Sequence, residues 1–332
     1  MLETLSLLNV RDLEVALPSE DGDITLVNKV SFSLKKGKTL GIVGESGCGK
    51  SLTSLSIMGL LPPNIKVKNG FIQLNGKDIT KLSKSERRRL RGKDMAMIFQ
   101  EPMTSLNPVY KIGYQIVELI RNHENISKAE ARKRAIHMLE LVGIPRPNKV
   151  IEDYPHQLSG GMRQRVMIGM ALSCNPGLLI ADEPTTALDV TIQAQIFDLM
   201  KSLQDKMHMS LILVTHDLGV VAEVCDTVIV MYAGEVVERT TVEELFESPK
   251  HPYTKGLLAA LPKLEEDKEV LSSIPGTVPS PTDMPKGCRF ADRCPHTFDL
   301  CHEKSPKEFF INEQASAKCW LYEEQLPRKS PV

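Results

Sequence analysis

Gly44-Glu45-Ser46-Gly47-Cys48-Gly49-Lys50-Ser51 follows the short apolar run Thr39–Val43 and opens a stretch of helical character. The eight residues fit G-x-x-x-x-G-K-[ST] and stand in the context that pattern requires, between a strand and a helix. Glycines let backbone N–H groups turn toward phosphate oxygens. Lys50 adds positive charge at β/γ-phosphates, and Ser51 offers an oxygen to Mg²⁺. Cys48 reads as a small filler of the loop. A glycine-rich turn arising by chance would lack both the strand before it and the helix after it.

The surrounding pattern agrees. Leu5–Val10 and Leu26–Leu34 are strand-like, and Met95–Phe99, Leu178–Ala181 and Leu211–Thr215 read as buried strands. Lys50–Leu60 reads as a helix stopped by Leu61-Pro62-Pro63. Asn75-Gly76 and Ala233-Gly234 each stand between apolar runs, as hairpin turns do. The region from Pro102 to Pro155 is mostly helical in character, with a capping box at Ser127–Glu130 followed by Ala135, Leu139 and Val142. Alternating apolar strands and helices predict an α/β fold on a mainly parallel, covered sheet.

Two further segments carry chemistry. Leu178–Glu183 is an apolar strand ending in Asp182 and Glu183. The first carboxylate suits a Mg²⁺ shell and the second can polarise an attacking water. Leu158-Ser159-Gly160-Gly161-Met162-Arg163-Gln164-Arg165 precedes an apolar helix. Ser159 can cap it, and the glycines leave an N-terminus open to an anion.

Phosphate loop, LSGGMRQR and paired carboxylates in this order resemble the nucleotide-binding subunits of ABC transporters. The resemblance covers residues 1 to about 248. It implies a Q-loop glutamine at Gln100, a D-loop at Thr186-Ala187-Leu188-Asp189 and a switch histidine at His216. The implied ligands are ATP and Mg²⁺. Residues 44–51 bind phosphate; Ser51, Gln100 and Asp182 serve the metal; Glu183 handles the water and His216 positions it against the γ-phosphate. Ser159, Gly160, Gly161, Gln164 and Asp189 belong to surfaces that in this family complete the site of a second ATPase subunit, identical or related. One feature departs from the pattern. Leu13–Gly22 contains no aromatic residue to stack on adenine, so Ala16 or Leu17 is left for apolar contact.

After about residue 248 the composition changes to a proline-punctuated tail. His251-Pro252-Tyr253-Thr254-Lys255-Gly256-Leu257-Leu258 and Phe99–Val109 resemble the ATPases of dipeptide, oligopeptide and nickel importers. The same eight residues also suit an amphipathic helix capping the core. The implied organisation is a P-loop ABC-type nucleotide-binding domain over 1–248, with an antiparallel β edge and a helical subdomain at about 102–175. A loop-rich extension follows at 249–332. Cys288, Cys294, Cys301 and Cys319 are separated by five, six and seventeen residues, wider than common zinc or ferredoxin spacings. Spacing alone names no metal. The resemblance implies a [4Fe–4S] cluster, with Zn²⁺ or unligated thiols as the alternatives. About 70 residues beyond His216, the cluster reads as a structural, docking or redox element and not as part of hydrolysis. Cys174 and Cys225 read as buried fillers.

Composition bounds the function. The 332 residues suggest about two domains. Lys plus Arg number 41 against 42 Asp plus Glu, which argues against a nucleic-acid-binding polycation. The run Lys81–Lys93 carries seven basic residues and one Glu; a solvated helix face is the simplest reading, and lipid headgroups or a membrane subunit are the alternatives. No apolar run reaches the ~18 residues of a membrane span, and the start reads as no export signal. The implied function is ATP hydrolysis powering import of dipeptides or oligopeptides through two permease subunits, from the cytoplasmic face. An extracytoplasmic solute-binding protein takes part indirectly. The rivals are a non-transport ABC ATPase, such as one for iron–sulfur assembly, and an importer of nickel or another small solute. Only 109 positions separate Lys50 from Ser159, too few for the long coiled coils of DNA-linked types.

Overall fold

The computed structural model describes residues 6–20, 22–100, 106–185, 189–261 and 274–323. Its strands are β1 (Ser6–Leu17), β2 (Ile24–Lys35), β3 (Thr39–Val43), β4 (Lys66–Leu74), β5 (Lys77–Asp78), β6 (Met95–Ile98), β7 (Leu178–Asp182), β8 (Ser210–Thr215), β9 (Thr227–Tyr232), β10 (Glu235–Thr241), β11 (Phe309–Phe310) and β12 (Ser316–Ala317). Its α-helices are α1 (Lys50–Met58), α2 (Lys84–Leu90), α3 (Ile112–His123), α4 (Lys128–Leu141), α5 (Pro147–Val150), α6 (Gly160–Leu172), α7 (Val190–Met207), α8 (Leu218–Val224), α9 (Val242–Glu247), α10 (Pro252–Ala259) and α11 (Asp299–Glu303).

Two sheets organise these elements. The smaller is antiparallel, in the order β2-β1-β4-β5. The larger runs β11-β12-β10-β9-β3-β8-β7-β6. Its centre, β9-β3-β8-β7-β6, is parallel. Every residue of β3, β7 and β8 is buried, which is why these strands read as unbroken apolar runs. Helix α1 lies between the sheets: Ile57 and Met58 pack with Leu8, Val30 and Ile72 on one side and Ile42, Ile180 and Ile212 on the other. The opposite face of the parallel strands is covered by α3, α4, α6 and α7 through Ile116, Leu139, Ile168 and Ile196.

Local chemistry explains the element ends. Asn75 and Gly76 have φ of 49° and 79°, and Ala233 and Gly234 have 47° and 83°, so both hairpins use the turn whose twist matches their strands. Helix α1 stops at Met58, two residues before the expected end. Gly59 takes φ 65°, and the N–H of Leu60 returns to the Leu55 carbonyl before the prolines are reached. Ser127 and Glu130 form the expected capping box of α4. Strand β1 runs on to Leu17, well beyond the expected Val10, because Val15, Ala16 and Leu17 pair with Val27, Thr25 and Ile24.

The tail is more ordered than its prolines suggest. Strand β12 pairs with β10, and β11 pairs with β12, so residues 309–317 form one edge of the large sheet. Tyr253 and Phe290 are buried against Tyr232 of β9, with ring centroids 4.7 and 5.1 Å from it.

Candidate functional site

The loop 44–51 leaves β3 and turns into α1. Gly44 is required there, since a Cβ would stand 2.2 Å from the Met231 carbonyl oxygen, and its φ is 151°. Lys50 is buried, and its ammonium donates to the carbonyls of Gly44 at 2.8 Å and Glu45 at 3.0 Å. Cys48 is fully buried beside Gly44, as expected of a filler. The Ala233-Gly234 turn supports the loop from behind, through Gly234 N–H donating to the Cys48 carbonyl at 2.9 Å.

Neighbouring strand ends bring the polar groups together. Ser51 donates to Asp182 Oδ1 at 3.1 Å. Burial holds the Asp182 carboxyl above its ordinary range, with Glu183 adding to the effect and Ser51 and Lys50 opposing it. A divalent cation beside it would reverse that shift. Glu183 follows at φ 46°, its N–H bonded to the Val214 carbonyl at 2.9 Å. Its carboxylate receives Gln100 Nε2 at 3.0 Å and lies 3.4 Å from His216 Nδ1. Ser51 on α1 and Asp182 form one contact, and Gln100, Glu183 and His216 another, brought side by side because Asp182 and Glu183 are adjacent at the C-terminal end of β7. Hydroxyl, carboxamide and carboxylate oxygens there suit Mg²⁺. A carboxylate between an amide and an imidazole suits the activation of water.

The LSGG segment lies elsewhere. Ser159 caps α6 by accepting from Met162 N–H at 3.3 Å. Among the described residues, no hydrogen bond joins Ser159, Gly160 or Gly161 to residues 44–51. Gln164 is buried and donates to the Pro184 carbonyl, which ties α6 to the segment after Glu183. Asp189 caps α7 through Ile192 N–H at 2.9 Å, while Thr186, Ala187 and Leu188 lie outside the described residues. Ala16 is buried and only Leu17 is partly open. The basic run forms α2, which buries no residue; two of its arginines bind backbone carbonyls, Arg87 that of Thr80 and Arg91 that of Met58.

Two contacts to the loop, and one to the turn behind it, come from residues far along the chain. Tyr253 Oη accepts from Glu45 N–H at 2.9 Å. Arg293, almost fully buried, donates to Glu45 Oε2 at 3.0 Å. Arg289 donates to the Ala233 carbonyl and pairs with Glu235 at 3.3 Å, fixing the supporting turn. The tail is thus joined to the phosphate loop through Tyr253 and Arg293. HPYTKGLL carried a local signal for its helix. The two arginines offered only their position among the cysteines.

Cys288, Cys294, Cys301 and Cys319 line one cavity with His251, Phe290 and Trp320. Burial pushes the Cys288 thiol up to about 11 and that of Cys319 up to about 12. Four soft sulfur donors on one cavity fit a thiolate-ligated metal. Their sulfurs are not drawn together in this conformation: among the described residues, no group of three or more His, Cys, Asp or Glu side chains is close enough to hold an ion. Cys174 is buried, as expected. Cys225 is half-buried, its burial pushing the thiol up to about 12. Among the described residues, no helix is long and apolar enough to cross a membrane.

Comparison with known proteins agrees with this geometry. The ABC transporter family profile matches residues 27–186, and that of the oligopeptide/dipeptide transporter C-terminal region matches 237–301. The chain is 51% identical over 326 residues to the oligopeptide transport ATP-binding protein AppD of Bacillus subtilis, covering 98% of this chain and 99% of that protein. It is 51% identical over 315 residues to the dipeptide transport ATP-binding protein DppD of Escherichia coli, covering 95% and 96%. A dimeric ATP-binding cassette solved with ADP and Pi superposes with a TM-score of 0.64 at 26% identity, covering 71% of this chain and 98% of that one. With relatives this similar along nearly its whole length, the chain belongs to the ABC transporter family, as one of its ATP-binding subunits of the oligopeptide and dipeptide transport type.

Proposed function

We propose that this subunit hydrolyses ATP to drive import of dipeptides or oligopeptides through two separate permease subunits, from the cytoplasmic face of the membrane. The observation that carries this reading is the adjacency of the Ser51–Asp182 and Gln100–Glu183–His216 contacts beside the phosphate loop, in a chain that also has the peptide-transporter C-terminal region. Lys50 and the loop amides hold the triphosphate. Ser51, Asp182 and Gln100 hold Mg²⁺, which when bound offsets charge between the β- and γ-phosphates. Glu183 orients and polarises water, and His216 faces the γ-phosphate from the end of β8. Ser159, Gly160, Gly161, Gln164 and Asp189 form the surface that closes over the nucleotide of a second ATPase subunit. Residues 1–248 are the nucleotide-binding unit and 249–332 its extension.

Exposed Val109, Tyr110 and Tyr114 support permease docking on the helical subdomain, at about 102–175. The two tyrosine rings stack 4.9 Å apart beside a groove lined by Lys111, Val117 and Arg121. The four cysteines of the extension are assigned to a [4Fe–4S] cluster, with Zn²⁺ as the alternative; the soft four-sulfur donor set supports this. A cluster there would crosslink the loops of the extension. Pull-down of the chain from detergent-solubilised membranes tests the transport reading. Two integral membrane subunits and an ATPase should be recovered with it. Recovery of soluble assembly proteins in their place would overturn the reading.

A further inference from the structure

Glu45 is the node of the phosphate loop. Its carbonyl accepts from Lys50, its N–H donates to Tyr253, and its carboxylate faces Arg293. Arg293 is itself fixed on several sides. Nε donates to the Pro275 carbonyl at 2.8 Å, Nη2 to that of Ile274 at 3.3 Å, and Nη1 also to Tyr232 Oη at 3.3 Å. The guanidinium lies over the rings of Tyr232 and Phe290, 5.7 and 6.0 Å from their centroids. A side chain held this way is preorganised and neutralises the Glu45 carboxylate in a half-buried place, where screening by water is weak.

A carboxylate in a loop built for a triphosphate works against binding unless it is neutralised. Tyr253 holds the amide of the same residue, so the carbonyl that orients Lys50 is fixed from both ends. We propose that Tyr253 and Arg293 are positioning residues that set affinity for the nucleotide through Glu45. The extension is then a working wall of the ATP site. This rests on the ATP reading above and adds to it a role for residues 208 and 248 positions away from Glu45.

Binding of a fluorescent ATP analogue with Mg²⁺ to the full chain tests the proposal, beside steady-state hydrolysis. Wild-type protein should bind; if it does not, the ATP reading fails and not this inference. Arg293→Ala should weaken binding roughly tenfold, within the range common for coupled sites, and raise KM more than it lowers kcat. Adding Glu45→Gln should restore most of the lost affinity, because the unpaired charge is gone. Tyr253→Phe, which keeps the ring contacts with Tyr232 and Phe290, should weaken binding several-fold at an unchanged melting temperature; it stands in should Arg293→Ala fail to fold. Unchanged affinity in Tyr253→Phe, or a double variant as weak as Arg293→Ala alone, would overturn the proposal.

Discussion

Glu183 occupies a backbone conformation that few residues with a Cβ adopt, at φ 46°. Such a conformation costs on the order of 1–3 kcal/mol and persists only where its surroundings enforce it. Here the enforcement is visible in the N–H bond to the Val214 carbonyl, one strand over from β7. The turn directs the carboxylate to Gln100 and His216 and leaves Asp182 to face Ser51. Two adjacent carboxylates thereby receive different work. Glu183→Gln keeps the shape and the hydrogen bonds but removes the base. Turnover should fall by about 10²–10⁴-fold, the usual share of a general base, while ATP affinity stays near wild type. With ATP the variant should accumulate as a closed dimer, visible by light scattering. Phosphate release within a few-fold of wild type would remove Glu183 from this role.

Helix α6 shows what an element end can do that a single residue cannot. Ser159 supplies the cap, Gly160 and Gly161 leave the first turn uncovered, and the peptide dipoles concentrate positive potential there. In its own subunit this end makes no hydrogen bond to the phosphate loop among the described residues, which fits the proposal that it serves the nucleotide of a second subunit. Ser159→Arg fills the space and removes the cap. It should abolish ATP-driven dimerisation and cooperative hydrolysis, yet leave ATP affinity of the monomer unchanged; an equal loss of monomer affinity would place Ser159 in its own site. The same locality explains what was legible beforehand. The phosphate loop, the LSGG start and the Asp182-Glu183 strand end each act through residues within one short segment, so composition and order reveal them. The sequence pattern of β1 stops at Val10 because its pairing with β2 continues past that residue through three register shifts, which break the alternation a sequence displays.

At the scale of the whole molecule, legibility falls with sequence separation. Nothing periodic links Arg293 to Glu45 or Tyr253 to the loop, and strands of two residues such as β11 and β12 are too short to alternate. The prolines of the tail suggested loops hung on a core. In the fold the Pro275 carbonyl accepts from Arg293, and residues 309–317 pair onto the edge of the large sheet. Cys288 and Cys294 flank Arg289 and Arg293, and Cys288 N–H donates to the Cys301 carbonyl at 2.7 Å, so the cysteines and the arginines share one frame. Ligation of the four thiols would displace protons that burial holds tightly on Cys288 and Cys319, and would lock that frame. Protein purified without oxygen should be brown and contain about four irons per chain. Colourless protein with one zinc would exclude iron and keep the site; metal-free protein with four alkylatable tail thiols would exclude both. Cys301→Ser should lose the metal and also raise KM for ATP in the direction of Arg293→Ala, because loosening residues 288–294 releases Glu45. A variant that loses its metal but keeps a wild-type KM would show that Arg293 is held by Tyr232, Phe290 and the carbonyls of Ile274 and Pro275 alone, with the metal serving only the outer loops.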